Sequence, residues 1–307
     1  MGIPLMNRWA AAAALTLLAG GTAASQDLSK VEIKTIPVAA NVSMLVGAGG
    51  NIGVSVGEDG TLLIDDEFPE LIDKIRAAAA ALRPGPIRFV LNTNWHYDHA
   101  NGNEALAKGG AVVIAHENSR NHMTVEQTYP DLDPDLKMAP YPHGALPVIT
   151  VKDTLTLHFN GDEIRMIHVP NAHSDGDLLF YFVRANVVHA GDLVFTNGFP
   201  FVNIAMGGTI DGMIKAADVI LGLCDARTKV VPGHGSLTDR AGVQAFKDLV
   251  IAGRDRVSAL VKLGKTFEEV LAAKPIAGLY KGGAPVMPDE IFVKVAYEDL
   301  TGKYRKK

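Results

Sequence analysis

The feature that most constrains this chain is a short run of potential metal ligands, Asn94-Trp95-His96-Tyr97-Asp98-His99. The run follows an apolar segment, 87–92, that has the composition of a buried strand, and it precedes a turn-forming segment, 100–103. A loop at a strand end therefore presents two imidazoles and a carboxylate within a few residues, the ligand mixture that borderline cations such as zinc prefer. The run predicts a metal site, although an isolated motif this short also arises by chance.

Three later segments strengthen the prediction, because each is an apolar strand that ends with a potential ligand. His173 follows the strand-like run 164–169, and Asp192 ends the run that begins at 187. His234 lies between two glycines after a third apolar run. If these strand ends lie at one edge of the fold, the ligands converge in space, and a metal cluster is the simplest explanation.

In this order the four segments resemble the metallo-β-lactamase superfamily, and the resemblance extends from about Val31 to Lys303. It implies an α+β fold, the four-layer αβ/βα sandwich of that family, and a cofactor of one or two Zn²⁺ ions per chain. By position, the implied ligands of the first metal are His96 and His173, with Asn94 at the place of a third ligand. The implied ligands of the second metal are Asp98, His99 and His234. Asp192 would bridge the two metals, as in the glyoxalase-II-like and lactonase-like branches. Asp98 would also help to orient the nucleophile, which makes it the predicted catalytic residue.

Three positions depart from the family's antibiotic-degrading branches or from its ligand pattern. Those branches usually carry cysteine or another residue where this chain has Asp192, and some have a lysine where it has Phe195. Asn94 replaces the family's first histidine, and its amide oxygen is a much weaker ligand than imidazole. One branch of carbapenem-hydrolysing enzymes has asparagine there and uses a single zinc in the second site, but it carries cysteine at the bridging position. Asn94 therefore indicates either a weakened first site or a tolerated substitution.

The pattern of apolar residues predicts how the chain is organised. Short β-rich runs separated by glycine-containing turns predict consecutive hairpins over 42–46, 51–56 and 61–64. An alanine-rich run predicts a helix over 71–82. Two more β-rich stretches follow, over 148–169 and 178–188. The doubled β-then-α pattern suggests two sheets packed face to face with helices outside. Thr266 and Glu269 predict a capped helix over 267–273. A chain of 307 residues can form one large core, so we expect a single domain over 26–307.

The amino terminus has the pattern of a secretory signal peptide over residues 1–25. Arg8 supplies a positive charge, 9–18 is apolar, and Ala23-Ala24-Ser25 forms a small-residue cleavage site. The apolar run is too short to span a bilayer comfortably. The sequence thus predicts a periplasmic or secreted protein without stable membrane insertion after cleavage, and an uncleaved anchor is the alternative. The net charge of −5 leaves no basic footprint for nucleic acid but says little about the substrate. The expected partner is a small-molecule substrate, and the sequence does not indicate an oligomeric state.

Two sets of side chains could complete the site. Asp65 and Asp66 close a predicted strand, and metal-bound imidazoles usually donate their second N–H to a carboxylate or a carbonyl. The competing interpretation is that the two aspartates cap a turn. Phe195, Phe199 and Phe201 follow the predicted bridging aspartate and could line an apolar substrate pocket, although each could equally pack in the core.

One long segment could cover the site. The stretch 128–147 contains five prolines together with Tyr129 and Tyr141, and it is too long for an ordinary connection. A flap over the metal centre and a rigid surface excursion both explain it.

Taken together, the sequence predicts an exported zinc-dependent hydrolase that attacks an ester, thioester or lactone carbonyl with a metal-bound hydroxide. Two alternatives stay open. A β-lactam hydrolase is compatible with the fold and with Asn94, but Asp192 and Phe195 count against it. A metal-binding protein that has lost turnover is compatible with the replaced ligand.

Overall fold

The computed structural model describes residues 27–129 and 132–303. The predicted signal peptide, 1–25, lies outside this part of the chain. The strands are β1 (Lys34–Ala39), β2 (Val42–Val46), β3 (Ile52–Gly57), β4 (Gly60–Ile64), β5 (Ile87–Leu91), β6 (Val112–His116), β7 (Gln127–Tyr129), β8 (Asp133–Met138), β9 (Ile149–Val151), β10 (Thr154–Phe159), β11 (Asp162–His168), β12 (Leu178–Phe182), β13 (Val187–Phe195), β14 (Lys229–His234) and β15 (Thr238–Asp239). The helices are α1 (Ile72–Leu82), α2 (Tyr97–Ala100), α3 (Asn103–Lys108), α4 (Glu117–Met123), α5 (Ile210–Leu223), α6 (Arg240–Lys262), α7 (Phe267–Ala272) and α8 (Asp289–Thr301).

Most of the strands form two mixed sheets. The first has the order β1-β2-β3-β4-β5-β6-β9, antiparallel up to β4 and parallel from β4 onward. The second has the order β10-β11-β12-β13-β14-β15, in which only β13 and β14 are parallel neighbours. The remaining two strands, β7 and β8, form a separate antiparallel hairpin.

The alternation of side chains along β4 shows how the layers are built. Leu62 and Ile64 pack with Met166 and Phe180 of the second sheet, whereas Leu63 packs in the core that includes α1. Successive side chains of a strand point to opposite faces, so a strand buried on both faces is apolar throughout. Helices α1 and α3 contact the first sheet, and α5 and α6 contact the second. The predicted four-layer αβ/βα sandwich is confirmed.

Helix ends follow the local sequence. Thr266 accepts a hydrogen bond from the Glu269 backbone N–H, and the Glu269 carboxylate accepts one from Thr266 N–H, which completes the predicted capping box of α7. The side chain of Asp239 accepts from the first backbone N–H groups of α6. Among the described residues, no helix is both long enough and apolar enough to cross a membrane.

Candidate metal centre

The predicted ligands meet at the carboxyl ends of the strands. In the second sheet β11, β13 and β14 run in one direction, because β12 is antiparallel to both β11 and β13 and β14 is parallel to β13. The loop after β11 carries His173, β13 carries Asp192, and β14 ends at His234. In the first sheet the loop after β5 carries the run from Asn94 to His99. Strand direction therefore brings segments distant in sequence to one edge of the sandwich.

One group of potential ligands consists of His96, His173 and Asp192, whose ligand atoms all lie within 4.8 Å of one another. All three side chains are buried, and His173 Nε2 lies 3.5 Å from Asp192 Oδ2. Two imidazoles and a carboxylate at this spacing form a ligand set that suits zinc.

A second group consists of Asp98, His99 and His234, again within 4.8 Å of one another. His234 Nε2 lies 3.3 Å from Asp98 Oδ2, and His99 Nε2 lies 3.7 Å from the same oxygen. The side chains of Asp98 and His234 are 22% and 15% exposed, whereas that of His99 is fully buried. The second group therefore lies on the open side of the centre, where a substrate can approach.

Asp192 lies between the two groups. Its Oδ2 is 3.1 Å from His99 Nε2 and its Oδ1 is 3.4 Å from His234 Nε2, although Asp192 also belongs to the first group. This is the position that the predicted bridging role requires. Gly233 makes the approach possible, because a Cβ at that position would collide with Asp192 Oδ1.

Unpartnered atoms at this position indicate that the residues present fit a metal. His99 Nε2 and Asp192 Oδ1 are buried, and neither has a hydrogen-bond partner among the described residues. Buried polar atoms are normally satisfied, and a bound cation would supply what these atoms lack.

The charges of the centre favour ionised carboxylates. Burial by itself would raise the pKa of Asp192, but the imidazoles of His99, His173 and His234 outweigh it and hold this pKa well below its usual range. Burial opposes ionisation of Asp98 in the same way, yet His99 and His234 lower its pKa to about 2. Carboxylates that stay charged at neutral pH are ready to bind a cation.

Asn94 is held in a defined orientation at the centre. Its Oδ1 accepts a hydrogen bond from the His96 backbone N–H at 2.8 Å, and its Nδ2 donates to Asp192 Oδ2 at 3.2 Å. The amide nitrogen thus faces the predicted bridging carboxylate, while the oxygen proposed as a ligand is engaged with the backbone. The ligand role of Asn94 stays a prediction, and the geometry adds a second interpretation, that of a donor to Asp192.

A carboxylate orients one of the imidazoles. Asp65 Oδ2 lies 2.8 Å from His99 Nδ1, and the same carboxylate accepts hydrogen bonds from Thr93 N–H and Thr93 Oγ1 at 2.8 Å and 2.7 Å. Both Asp65 and His99 are fully buried, so this contact directs His99 Nε2 toward the ligand group. Asp66 is also buried, and its Oδ1 accepts a hydrogen bond from the N–H of Gly102, the residue before α3.

Sequence reasoning missed two contacts of the histidines. Asp177 Oδ1 lies 3.4 Å from His173 Nδ1, but this contact is not a hydrogen bond. The signal was the carboxylate four residues after the histidine. Asn203 Nδ2 lies 3.1 Å from His96 Nε2, a contact across 107 positions of sequence that no local pattern could reveal.

The three phenylalanines occupy different places. Phe201 lies beside the first group, with its ring centroid 6.1 Å from that of His96 and 6.0 Å from that of His173. Phe195 stacks on His234 at 5.2 Å. Phe199 instead packs against Phe292 of α8 at 4.3 Å, which is the core packing named above as the alternative to a pocket role. All three are at most 5% exposed.

The proline-rich segment contributes the β7–β8 hairpin. The ring of Tyr129, at the end of β7, lies edge-on to His96 with a centroid distance of 5.4 Å. Burial and then the negative charge of Asp98 raise the pKa of Tyr129, so its phenol stays neutral. One residue of the proline-rich segment therefore lies beside the candidate metal centre.

Comparisons with known proteins identify the family and related folds. Hydroxyacylglutathione hydrolase from Pelagibacter ubique (strain HTCC1062) is 28% identical over 149 residues, which are 48% of this chain and 52% of the relative, so the chain spans about half the length of this curated protein. The metallo-beta-lactamase from Pontibacter korlensis is 15% identical with a TM-score of 0.57, covering 72% of this chain and 99% of that one. The sec-alkylsulfatase Pisa1 from Pseudomonas sp. is 17% identical with a TM-score of 0.63, covering 87% of this chain and 50% of that one. These two structures are similar in fold alone. The family model of the metallo-beta-lactamase superfamily matches residues 45–237, more than half of the chain, and the chain therefore belongs to that superfamily.

Proposed function

We propose that this protein is a zinc-dependent hydrolase that attacks the carbonyl carbon of a small ester, thioester or lactone and breaks its acyl–oxygen or acyl–sulfur bond. The observation that carries the proposal is the position of Asp192, a buried carboxylate that lies between two groups of ligand atoms. The name of the relative from Pelagibacter ubique, a hydrolase of hydroxyacylglutathione, supports a thioester within this class.

The residues present would hold two divalent ions. His96, His173 and Asp192 would hold the first, and Asp98, His99 and His234 would hold the second, with Asp192 shared. Zinc bound there would supply Lewis acidity and would lower the pKa of a bound water to about 7.

The chain itself supplies orientation and access. Asp65 fixes the imidazole of His99, so the Nε2 of that ring is directed toward the centre. Asp98, partly exposed on the open side, can accept a hydrogen bond from the attacking water and orient it. Phe201 excludes water from the His96 side, where the centre is closed.

The substrate class can be tested with a panel of compounds. The zinc-loaded protein should hydrolyse S-acyl glutathiones, aryl esters or lactones faster than a cephalosporin, and chelation should abolish the reaction until zinc is returned. Asp192→Asn should lose this activity because it removes the central charge. Asp211→Asn, which changes an exposed aspartate in the first turn of α5, should retain it.

Two results would contradict the proposal. Faster cleavage of the β-lactam would assign the chain to antibiotic hydrolysis despite Asp192 and Phe195. Zinc binding with no turnover of any compound would favour a protein that has lost catalysis.

Export belongs to the same proposal. The signal-like residues 1–25 support a periplasmic or secreted enzyme. Expression of the full chain in a Gram-negative host should give a periplasmic protein whose amino terminus lies near residue 26. An intact amino terminus in the cytoplasmic or membrane fraction would contradict export.

A further inference from the structure

We propose that Tyr129 donates a hydrogen bond from its hydroxyl group to the carbonyl oxygen of the substrate at the metal centre. The inference rests on the proposed function and adds a catalytic residue to it. It is carried by the position of the β7–β8 hairpin, by the way that hairpin is anchored, and by the free hydroxyl of Tyr129.

The ring of Tyr129 lies among the residues of the centre. It is edge-on to the imidazole of His96, with a centroid distance of 5.4 Å and an interplanar angle of 65°. On another side it meets the ring of Tyr97 at 6.1 Å and 88°. The residue is only 3% exposed, so these neighbours fix the plane of the phenol.

The hairpin is tied to the loop that carries the ligands. Trp95, which lies between Asn94 and His96 in the sequence, is fully buried. Its Nε1–H donates a hydrogen bond to Gln127 Oε1 at 2.6 Å. Gln127 begins β7, and its Nε2 donates in turn to the carbonyl oxygen of His122. Because Gln127 and Tyr129 are two residues apart on one strand, this anchor sets the position of Tyr129 relative to His96.

The hydroxyl of Tyr129 is available to a ligand. Within residues 27–129 and 132–303 it has no hydrogen-bond partner. Tyr141 gives the contrast, since its hydroxyl donates to the Trp95 carbonyl at 2.8 Å and so serves the structure. A buried phenol that has no hydrogen-bond partner and lies next to a predicted metal ligand can donate to an oxygen that gains negative charge during attack.

The experiment compares Tyr129→Phe with Tyr141→Phe in the zinc-loaded full chain. Tyr129→Phe keeps the ring contacts with His96 and Tyr97 and removes only the donor. Loss of one such donor typically lowers kcat by about 10²-fold or more. We expect a loss of that size in kcat with a smaller change in KM, similar for aryl esters and thioesters. Zinc content and Tm should match wild type.

A binding measurement separates this inference from the proposed function. A methylphosphonate monoester, which carries a charged tetrahedral centre, should bind Tyr129→Phe at least tenfold more weakly than wild type by calorimetry. Tyr141→Phe should bind it as wild type does. If wild type hydrolyses none of the panel, the proposed function fails, but weaker phosphonate binding by Tyr129→Phe still supports the donor role. Equal binding, no binding to wild type, or zinc loss in Tyr129→Phe would overturn it.

Discussion

Replacing Asp65 by asparagine should weaken the second metal site, because it reverses the polarity of one buried contact. The wild-type carboxylate accepts three hydrogen bonds, two from Thr93 and one from His99 Nδ1–H. In Asp65→Asn, the amide oxygen can keep the hydrogen bond from Thr93 N–H. The NH₂ group at the other end of the amide then faces His99 Nδ1. That contact requires His99 to carry its proton on Nε2, the nitrogen that faces the ligand group.

The size of the effect follows from burial and from the lost charge. Asp65 and His99 are both 0% exposed, so water cannot replace the contact. Partners that orient metal-bound histidines contribute 10- to 100-fold to metal affinity, and we expect the upper end, about 10²-fold or about 2.8 kcal/mol. Competition with a chromophoric chelator measures the zinc affinity directly.

Asp66→Asn is the matched control. Asp66 is equally buried, and desolvation raises its pKa well above the usual range, but it accepts from Gly102 N–H and contacts no imidazole. Its asparagine variant should bind zinc as wild type does. Unchanged affinity in Asp65→Asn, or an equal loss in both variants, would refute the reasoning.

Acid stability, metal loading and core packing provide the remaining predictions. Burial lowers the pKa of His189 from 6.5 to about 4, so neutral His189 stabilises the fold fully above pH 6.5. As the pH falls from 6.5 toward 4, the free energy of unfolding should decrease by about 3 kcal/mol. In thermal scans of metal-free protein, His189→Gln should remove this dependence of Tm on pH, and an unchanged dependence would contradict the assignment. Asn94→His should raise the zinc affinity of the first site at least tenfold in chelator competition, since it adds a fourth ligand; equal affinity would show that position 94 does not face that metal. Phe292→Ala, which opens a cavity beside Phe199, should lower the free energy of unfolding by about 3–5 kcal/mol in urea, and a loss below about 1 kcal/mol would contradict the packing.

The fold was accessible from sequence where local patterns decide structure. The predicted runs 42–46, 51–56 and 61–64 coincide with β2, β3 and β4 to within a residue at each end, because glycine-containing turns delimit them. The helix predicted over 71–82 is α1, which ends before a proline. The hairpin β7–β8 was not predicted, because its prolines argue against a strand; a two-stranded hairpin consists of edge strands, which tolerate proline.

The candidate site was accessible to the extent that its ligands follow strands. Asp65 could be identified as a partner of a predicted metal-binding histidine because it directly follows β4, which lies next to β5 in the sheet. Asn203 and its contact with His96 depend on how two distant loops fold together. The inward packing of Phe199 depends on α8, more than 90 positions later in the chain. Such contacts are set by tertiary packing and leave no local pattern.

The most direct test of the two-metal centre is the zinc content of the purified protein, measured by elemental analysis during stepwise dialysis against increasing chelator. The account predicts two zinc ions per chain, of which the one at His96, His173 and Asp192 leaves first because Asn94 supplies no imidazole there. Hydrolysis should fall as this first ion leaves. A protein that binds no zinc, or that never exceeds one ion per chain under saturating zinc, would contradict the two-metal centre.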